Sequence, residues 1–199
     1  LLIQGILCIF MLAGAMNFTL HGKVITNSLN IYTRDPETRI LVGIILFAIA
    51  LTIITIDHGP SGLTSVVQRV VQLISVFTTT GYPSPELSST IPHFYILMLL
   101  VLAVLGGGTG STSGGFKAIR IALLLQQAKK ELVHLTHPHA VVPIQSGNLS
   151  LPERSIKILS VFFASYCSTL VILTIFLALF DINFADSVSL AIATITNSG

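Results

Sequence analysis

Apolar residues gather into four long runs, Leu1–Leu20, Ile40–Ile56, Ile91–Leu105 and Ile156–Phe180, separated by polar connectors. Crossing about 30 Å of hydrocarbon takes roughly 20 helical residues, so each run is read as a membrane span or most of one. Two shorter runs, Leu63–Phe77 (LTSVVQRVVQLISVF) and Asn183–Ile195 (NFADSVSLAIATI), keep helical apolar spacing over only 15 and 13 residues. At 1.5 Å per residue the first covers about 22 Å, too little for a comfortable crossing. Each short run ends in polar residues closing on a glycine: Thr78-Thr79-Thr80-Gly81-Tyr82 and Thr196-Asn197-Ser198-Gly199. Gly81 and Gly199 lie 118 residues apart. The order span, short helix, polar loop, span thus occupies 40–105 and restarts over 156–199, a membrane repeat.

Composition agrees with that pattern. Of 199 residues, 52% are hydrophobic and 9% charged, and the mean hydropathy is +0.87. Soluble domains carry about 25% charged residues, so the expected class is an all-α integral membrane protein. Cys8 and Cys167 both sit inside apolar runs and read as small buried hydrophobes without a disulfide. The chain opens on Leu1-Leu2-Ile3, without Met or a basic flank, and stops inside the second glycine-closed loop. It is read as a piece of a longer protein.

Basic residues set the topology. Lys23, Arg34 and Arg39 fall between the first two spans, and Lys117, Arg120, Lys129, Lys130, Arg154 and Lys157 between the third and fourth. Arg69 alone falls between the second and third. The positive-inside rule makes the first two groups cytoplasmic. A pI near 8.7 therefore reflects topology, and no nucleic-acid partner is expected.

That parity puts 57–90 on the outer side, and it would invert if Leu63–Phe77 crossed. The segment is read instead as a re-entrant helix that stops part-way and returns as extended chain. Arg69 is then placed to snorkel outward or to find a partner. Irregular backbone at membrane depth is tolerated only where protein buries it or it lines a wet path. Thr78, Thr79, Thr80 and Gly81 offer successive carbonyls and a hydroxyl at Thr78. Such a row can replace the hydration shell of an alkali cation, with the negative end of the preceding helix pointing at it. The plainer reading is an extracellular turn after an amphipathic helix. Asn197, Ser198 and Gly199 repeat the arrangement.

The third span meets Gly106, Gly107, Gly108, Thr109, Gly110, Ser111, Thr112, Ser113, Gly114 and Gly115. Glycine costs a helix about 1 kcal/mol per residue relative to alanine, so the span breaks there. A second half-helix, Phe116–Leu132, follows. A broken span normally lines a substrate path, and the segment is read as a flexible gate beneath the cation site. The alternative is a cytoplasmic linker, which would not need an apolar half-helix after it. No enzyme is expected. The segment holds neither G-x-G-x-x-G nor a phosphate-binding G-x-x-x-x-G-K-[ST], and Gly110-Ser111-Thr112-Ser113-Gly114 has threonine where a nucleophile elbow needs serine.

The remaining candidates read as structural. His134, His137 and His139 suggest a metal site, but no cysteine or close carboxylate completes it, so they are read as a solvated connector. Ser150-Leu151-Pro152-Glu153 has the spacing of a capping box opening the fourth span. Lys117 and Arg120 read as positive-inside anchors, with repulsion of cations at the gate as second choice. Glu86, Asp181 and Asp186 fall on the outer side as surface carboxylates that also concentrate cations.

With these residues in view, the chain resembles the Trk-type potassium-uptake transporters of the wider Trk/Ktr/HKT superfamily. The matching stretches are Asn17–Lys23 (NFTLHGK), Thr78–Tyr82 (TTTGY), Gly106–Arg120 (GGGTGSTSGGFKAIR), Glu131–Pro143 (ELVHLTHPHAVVP) and Leu151–Ser155 (LPERS). The resemblance implies four span–pore-helix–filter-loop–span repeats around a potassium-channel-like filter in a multi-pass protein of the cytoplasmic (inner) membrane. Residues 1–20 would be the last helix of a preceding repeat and 21–39 a cytoplasmic connector. A complete repeat would occupy 40–132: span 40–56, pore helix 63–77, filter 78–82 and broken span 91–132 with its loop 106–115. A connector, 133–155, would lead to a partial repeat with span 156–180, pore helix 183–195 and filter start 196–199. Thr78, Thr79, Thr80 and Gly81 match one filter, Asn197, Ser198 and Gly199 the next, and Gly106–Gly115 the intramembrane loop that gates the pore. The transported ion would be K+, with no covalently bound cofactor. The partners implied are a second copy of the chain, the lipid bilayer and a cytoplasmic nucleotide-binding (NAD/ATP-type) regulatory subunit. The competing functions are a Na+-permeable or H+/Na+-coupled symporter of the same superfamily, and a non-transporting membrane scaffold or sensor.

Overall fold

A computed structural model describes residues 2–26, 30–55, 62–82, 92–140, 142–147 and 149–198. The first apolar run forms helix α1, Leu2–Ala15, and then breaks. Helix α2, Phe18–Thr26, leaves at 101° to it. The expected run Leu1–Leu20 is therefore not one straight helix but is broken after Ala15. The cause is Asn17, whose Oδ1 accepts from Thr19 N at 2.9 Å and Thr19 Oγ1 at 2.7 Å, an N-cap that starts a new helix. Asn17→Ala should cost about 1 kcal/mol, read as a melting temperature a few degrees lower in detergent. An unchanged melt would mean that the bend is held elsewhere.

Helix α3, Asn30–Arg34, leads into α4, Pro36–Thr55, one of two helices among the described residues long and apolar enough to cross a membrane. Asp35 caps α4, its Oδ2 accepting from Thr38 N at 2.7 Å and Thr38 Oγ1 at 2.8 Å, with Pro36 in the first position. Next come α5, Gly62–Phe77, and α6, His93–Leu105. At about 1.5 Å per residue, neither is a full crossing by length.

Helix α5 is the centre of the core. Its Val71, Leu73, Ile74 and Phe77 are buried against Met11, Leu41 and Leu102, so α1, α4 and α6 enclose it. One strongly apolar face brings this about, because burying it against three neighbours removes it from solvent. Tyr95 of α6, 1% exposed, donates its hydroxyl to Arg69 O at 2.8 Å, and its ring lies 5.6 Å beneath the Arg69 guanidinium. Arg69 thus has an aromatic partner.

Beyond the glycine segment run α7, Ala118–Thr136, a two-residue hairpin of β1, Gln145–Ser146, and β2, Leu149–Ser150, then α8, Glu153–Ala178, and α9, Phe184–Thr196. Helix α8 is the second helix able to cross a membrane, and α9 packs along both α8 and α6. The expected capping box does not form. Ser150 pairs with Gln145 in the hairpin, Pro152 stands at the N-cap without a side-chain bond, and Glu153 reaches Lys130 at 3.0 Å. The helix starts too late for Ser150 to cap it, because Pro152 holds the N-cap position.

Candidate ion path and its gate

Both short helices end in the same way. Thr78 Oγ1 donates to Ile74 O at 2.8 Å and lies 2.8 Å from Thr80 Oγ1. At the 118-residue offset, Thr196 Oγ1 donates to Ile192 O at 2.8 Å and to Ser198 Oγ at 3.0 Å. Thr80 N donates to Ser75 O at 2.9 Å, and Ser198 N to Ala193 O at 3.1 Å, again in register. Thr79 and Asn197 occupy the left-handed region at φ 52° and 55°. That region is a steric outlier for a β-branched residue, held only where surrounding bonds fix it.

The Thr78 hydroxyl donates to Ile74 O and Ser75 O, carbonyls of the last helical turn that also accept from Thr78 N and Thr80 N. After Gly81, at φ 68°, the chain is pinned again by Tyr82 N donating to Ser75 Oγ at 2.7 Å. Thr80, Gly81 and Asn197 are exposed, Thr79 is half-buried, and Thr78, Thr196 and Ser198 are buried. Gly199 and Glu86 lie outside the described residues. Asp186 falls in the first turn of α9.

The glycine segment leaves and rejoins its helix at nearly one place. Phe116 N donates to Val104 O at 2.9 Å and Lys117 N to Leu105 O at 3.0 Å, so residues 106–115 form a closed excursion. The return is anchored by Phe116, 1% exposed, whose ring lies 5.3–5.6 Å from those of Phe162, Phe163 and Tyr166 on α8. The second half-helix therefore begins at Ala118, two residues later than the pattern predicts, because Phe116 and Lys117 are committed to closing the loop.

Several residues of the excursion are anchored to other segments. Gly108 N donates to Ala15 O at 2.8 Å and Thr112 N to Gly14 O at 3.2 Å, fastening the loop to the end of α1. Phe18 N donates to Gly110 O at 3.1 Å, so the bend after α1 and the loop hold each other. Ser113 Oγ donates to Thr78 O at 3.0 Å, and Gly114 N to Thr79 Oγ1 at 2.8 Å. A Cβ on Gly114 would lie far inside contact with Thr196 O. The tip Ser113–Gly114 thus touches the ends of both short helices and brings the two candidate filter segments together.

Lys117, expected as a positive-inside anchor, folds its amine back into the loop. Its Nζ donates to Ser113 O and reaches Ser111 Oγ at 3.4 Å, inside the excursion. Arg120 lies 4.8 Å over the Phe162 ring. His134 Nε2 is 2.9 Å from Ala140 O in the connector. Thr196, within the expected loop 196–199, is the partner of Thr78 under the 118-residue offset. One residue escaped the sequence reading. Glu37 meets the loop at Thr109, 72 positions away, with nothing local to mark it.

The chain is similar in sequence and fold to known potassium transporters. The Trk system potassium uptake protein TrkH of Salmonella typhimurium is 34% identical over 99% of this chain, which spans 41% of that protein. Its Escherichia coli counterpart is 33% identical with the same coverage. The crystal structure of the potassium transporter TrkH from Vibrio parahaemolyticus matches with a TM-score of 0.87 at 30% identity, over 96% of this chain and 42% of that one. The chain therefore spans about two-fifths of the length of these relatives. The family description "TrkH: Cation transport protein" matches residues 1–199 in full, and the chain belongs to that family.

Proposed function

We propose that this chain forms part of a potassium-uptake pore in the cytoplasmic membrane, supplying two of its filter segments and the loop that closes it from below. Main-chain oxygens of Thr78, Thr79, Thr80 and Gly81, with those of Asn197, Ser198 and Gly199, stand in for water around a dehydrating K+. The residues 106–115 block the exit and must move aside for each conducting episode. Supporting this reading above all is the lodging of Ser113 and Gly114 against the ends of both short helices, whose hydrogen bonds repeat in register. A linker in bulk water would have no reason to hold ten residues by main-chain and hydroxyl bonds to four separate segments. A second copy of the chain and a cytoplasmic nucleotide-binding subunit are the partners proposed with it.

The test is growth. A cell lacking its own K+ uptake, given the full-length protein, is expected to grow at limiting K+ and to take up Rb+ in competition with K+. Correctly inserted protein that supports neither growth nor Rb+ uptake would favour the scaffold or sensor. Uptake that follows Na+ as readily as K+ would favour the Na+-permeable relative.

A further inference from the structure

We infer that Glu37 is the positioning residue that latches the glycine loop in its blocking conformation, an inference that rests on the gate reading above. Glu37 is a carboxylate 8% exposed, in the first turn of α4. Its Oε1 accepts from Thr109 N at 2.6 Å and its Oε2 from Thr109 Oγ1 at 2.7 Å. It is free to do so because Asp35 already caps the helix. The flanking Gly108 lies close against Glu37 and Leu41, so the loop is seated on the carboxylate as well as bonded to it.

Energetics single this contact out. The loop's bonds to Gly14, Ala15 and Thr78 join neutral groups, and hydrogen bonds to an ionised acceptor are roughly twice as strong. Lys117 binds Ser111 and Ser113 within the same excursion, so an anion and a cation both hold it. At the 118-residue offset Glu37 falls on Ser155. The carboxylate is therefore no part of the repeat, and it occurs in the unit that carries the loop. Opening breaks both bonds together and leaves a buried charge without its donors, which is unfavourable until water or a passing cation reaches it.

The test uses the full-length transporter in proteoliposomes, with Rb+ flux and hydrogen exchange of the 106–115 peptide as readouts. Glu37→Gln keeps the size but presents an amide donor to one of two donors, and should raise flux and loop exchange about tenfold. Thr109→Val removes the hydroxyl from the other side and should move both readouts in the same direction. It also carries the test by itself if the Glu37 variant does not fold. Because the two residues act through one contact, the double variant should exceed the stronger single one by little. Additive effects, a lowered flux, or wild-type flux and exchange in Glu37→Gln would overturn the latch. A transporter with Gly110–Thr112 deleted separates the two claims. Raised flux there beside an inert Glu37→Gln sinks the latch and leaves the gate standing, whereas unraised flux in the folded deletion sinks the gate and the latch with it.

Discussion

Gly81→Ser in the full-length transporter is expected to reduce discrimination of K+ over Na+ by about tenfold or more while the protein still inserts and folds. Gly81 sits at φ 68°, where an L side chain costs roughly 1–2 kcal/mol. The chain can relieve that strain only by rotating the peptides on either side, which turns a carbonyl away from the ion. Relief cannot spread far. Tyr82 is held to Ser75 Oγ on one flank, and Thr80 N is held to Ser75 O on the other. A change of 1.4 kcal/mol between two ions is a tenfold change in their ratio, so strain of this size confined to one ligand is enough. The measurement is the ratio of Rb+ to Na+ flux under identical gradients. A ratio equal to wild type, with total flux retained, would mean that these carbonyls do not face the permeating ion. Under the scaffold reading the substitution has no ionic consequence at all.

The parts of this fold that could be read from the sequence are those carried by period and length. Four apolar runs, two short helices and the 118-residue offset needed nothing beyond spacing, and Thr196 follows from Thr78 by the offset alone. What could not be read is whatever a distant segment decides. Met16 and Asn17 interrupt the first run without a proline or glycine between them, and the bend is stable because Phe18 N finds Gly110 O, far along the chain. Ser150 and Glu153 have the spacing of a capping box, but Ser150 ends the hairpin and α8 begins only at Glu153, with Pro152 at its N-cap. Lys117 counts as a cytoplasmic charge in any tally, yet loop closure forces it to φ 80° and folds its amine back onto Ser113. The break at the glycine segment was legible because no helix survives so many glycines. Its seat was not, since Ala15, Glu37, Thr79 and Thr196 come from four places in the sequence.

Gly114→Ala is expected to raise resting flux by about tenfold or more and to leave ion preference close to wild type. A methyl group there runs into Thr196 O, and overpacking of this kind costs typically 1–3 kcal/mol. Either the loop or the end of α9 must yield. Thr196 is fully buried, and its hydroxyl is tied to Ile192 O and Ser198 Oγ, so α9 resists displacement as part of a helix. The loop is held near this point by single neutral bonds, Gly114 N to Thr79 Oγ1 and Ser113 Oγ to Thr78 O, each worth about 1 kcal/mol net. The weaker side is the loop, so it lifts away and the blocked state is depopulated. If α9 yielded instead, Asn197 and Ser198 would move with it and selectivity would fall alongside the rise in flux, as it should for Gly81→Ser. Comparing the two variants in one flux assay therefore reports which side moves. A folded Gly114→Ala protein conducting no more than wild type would show that residues 106–115 are not the barrier.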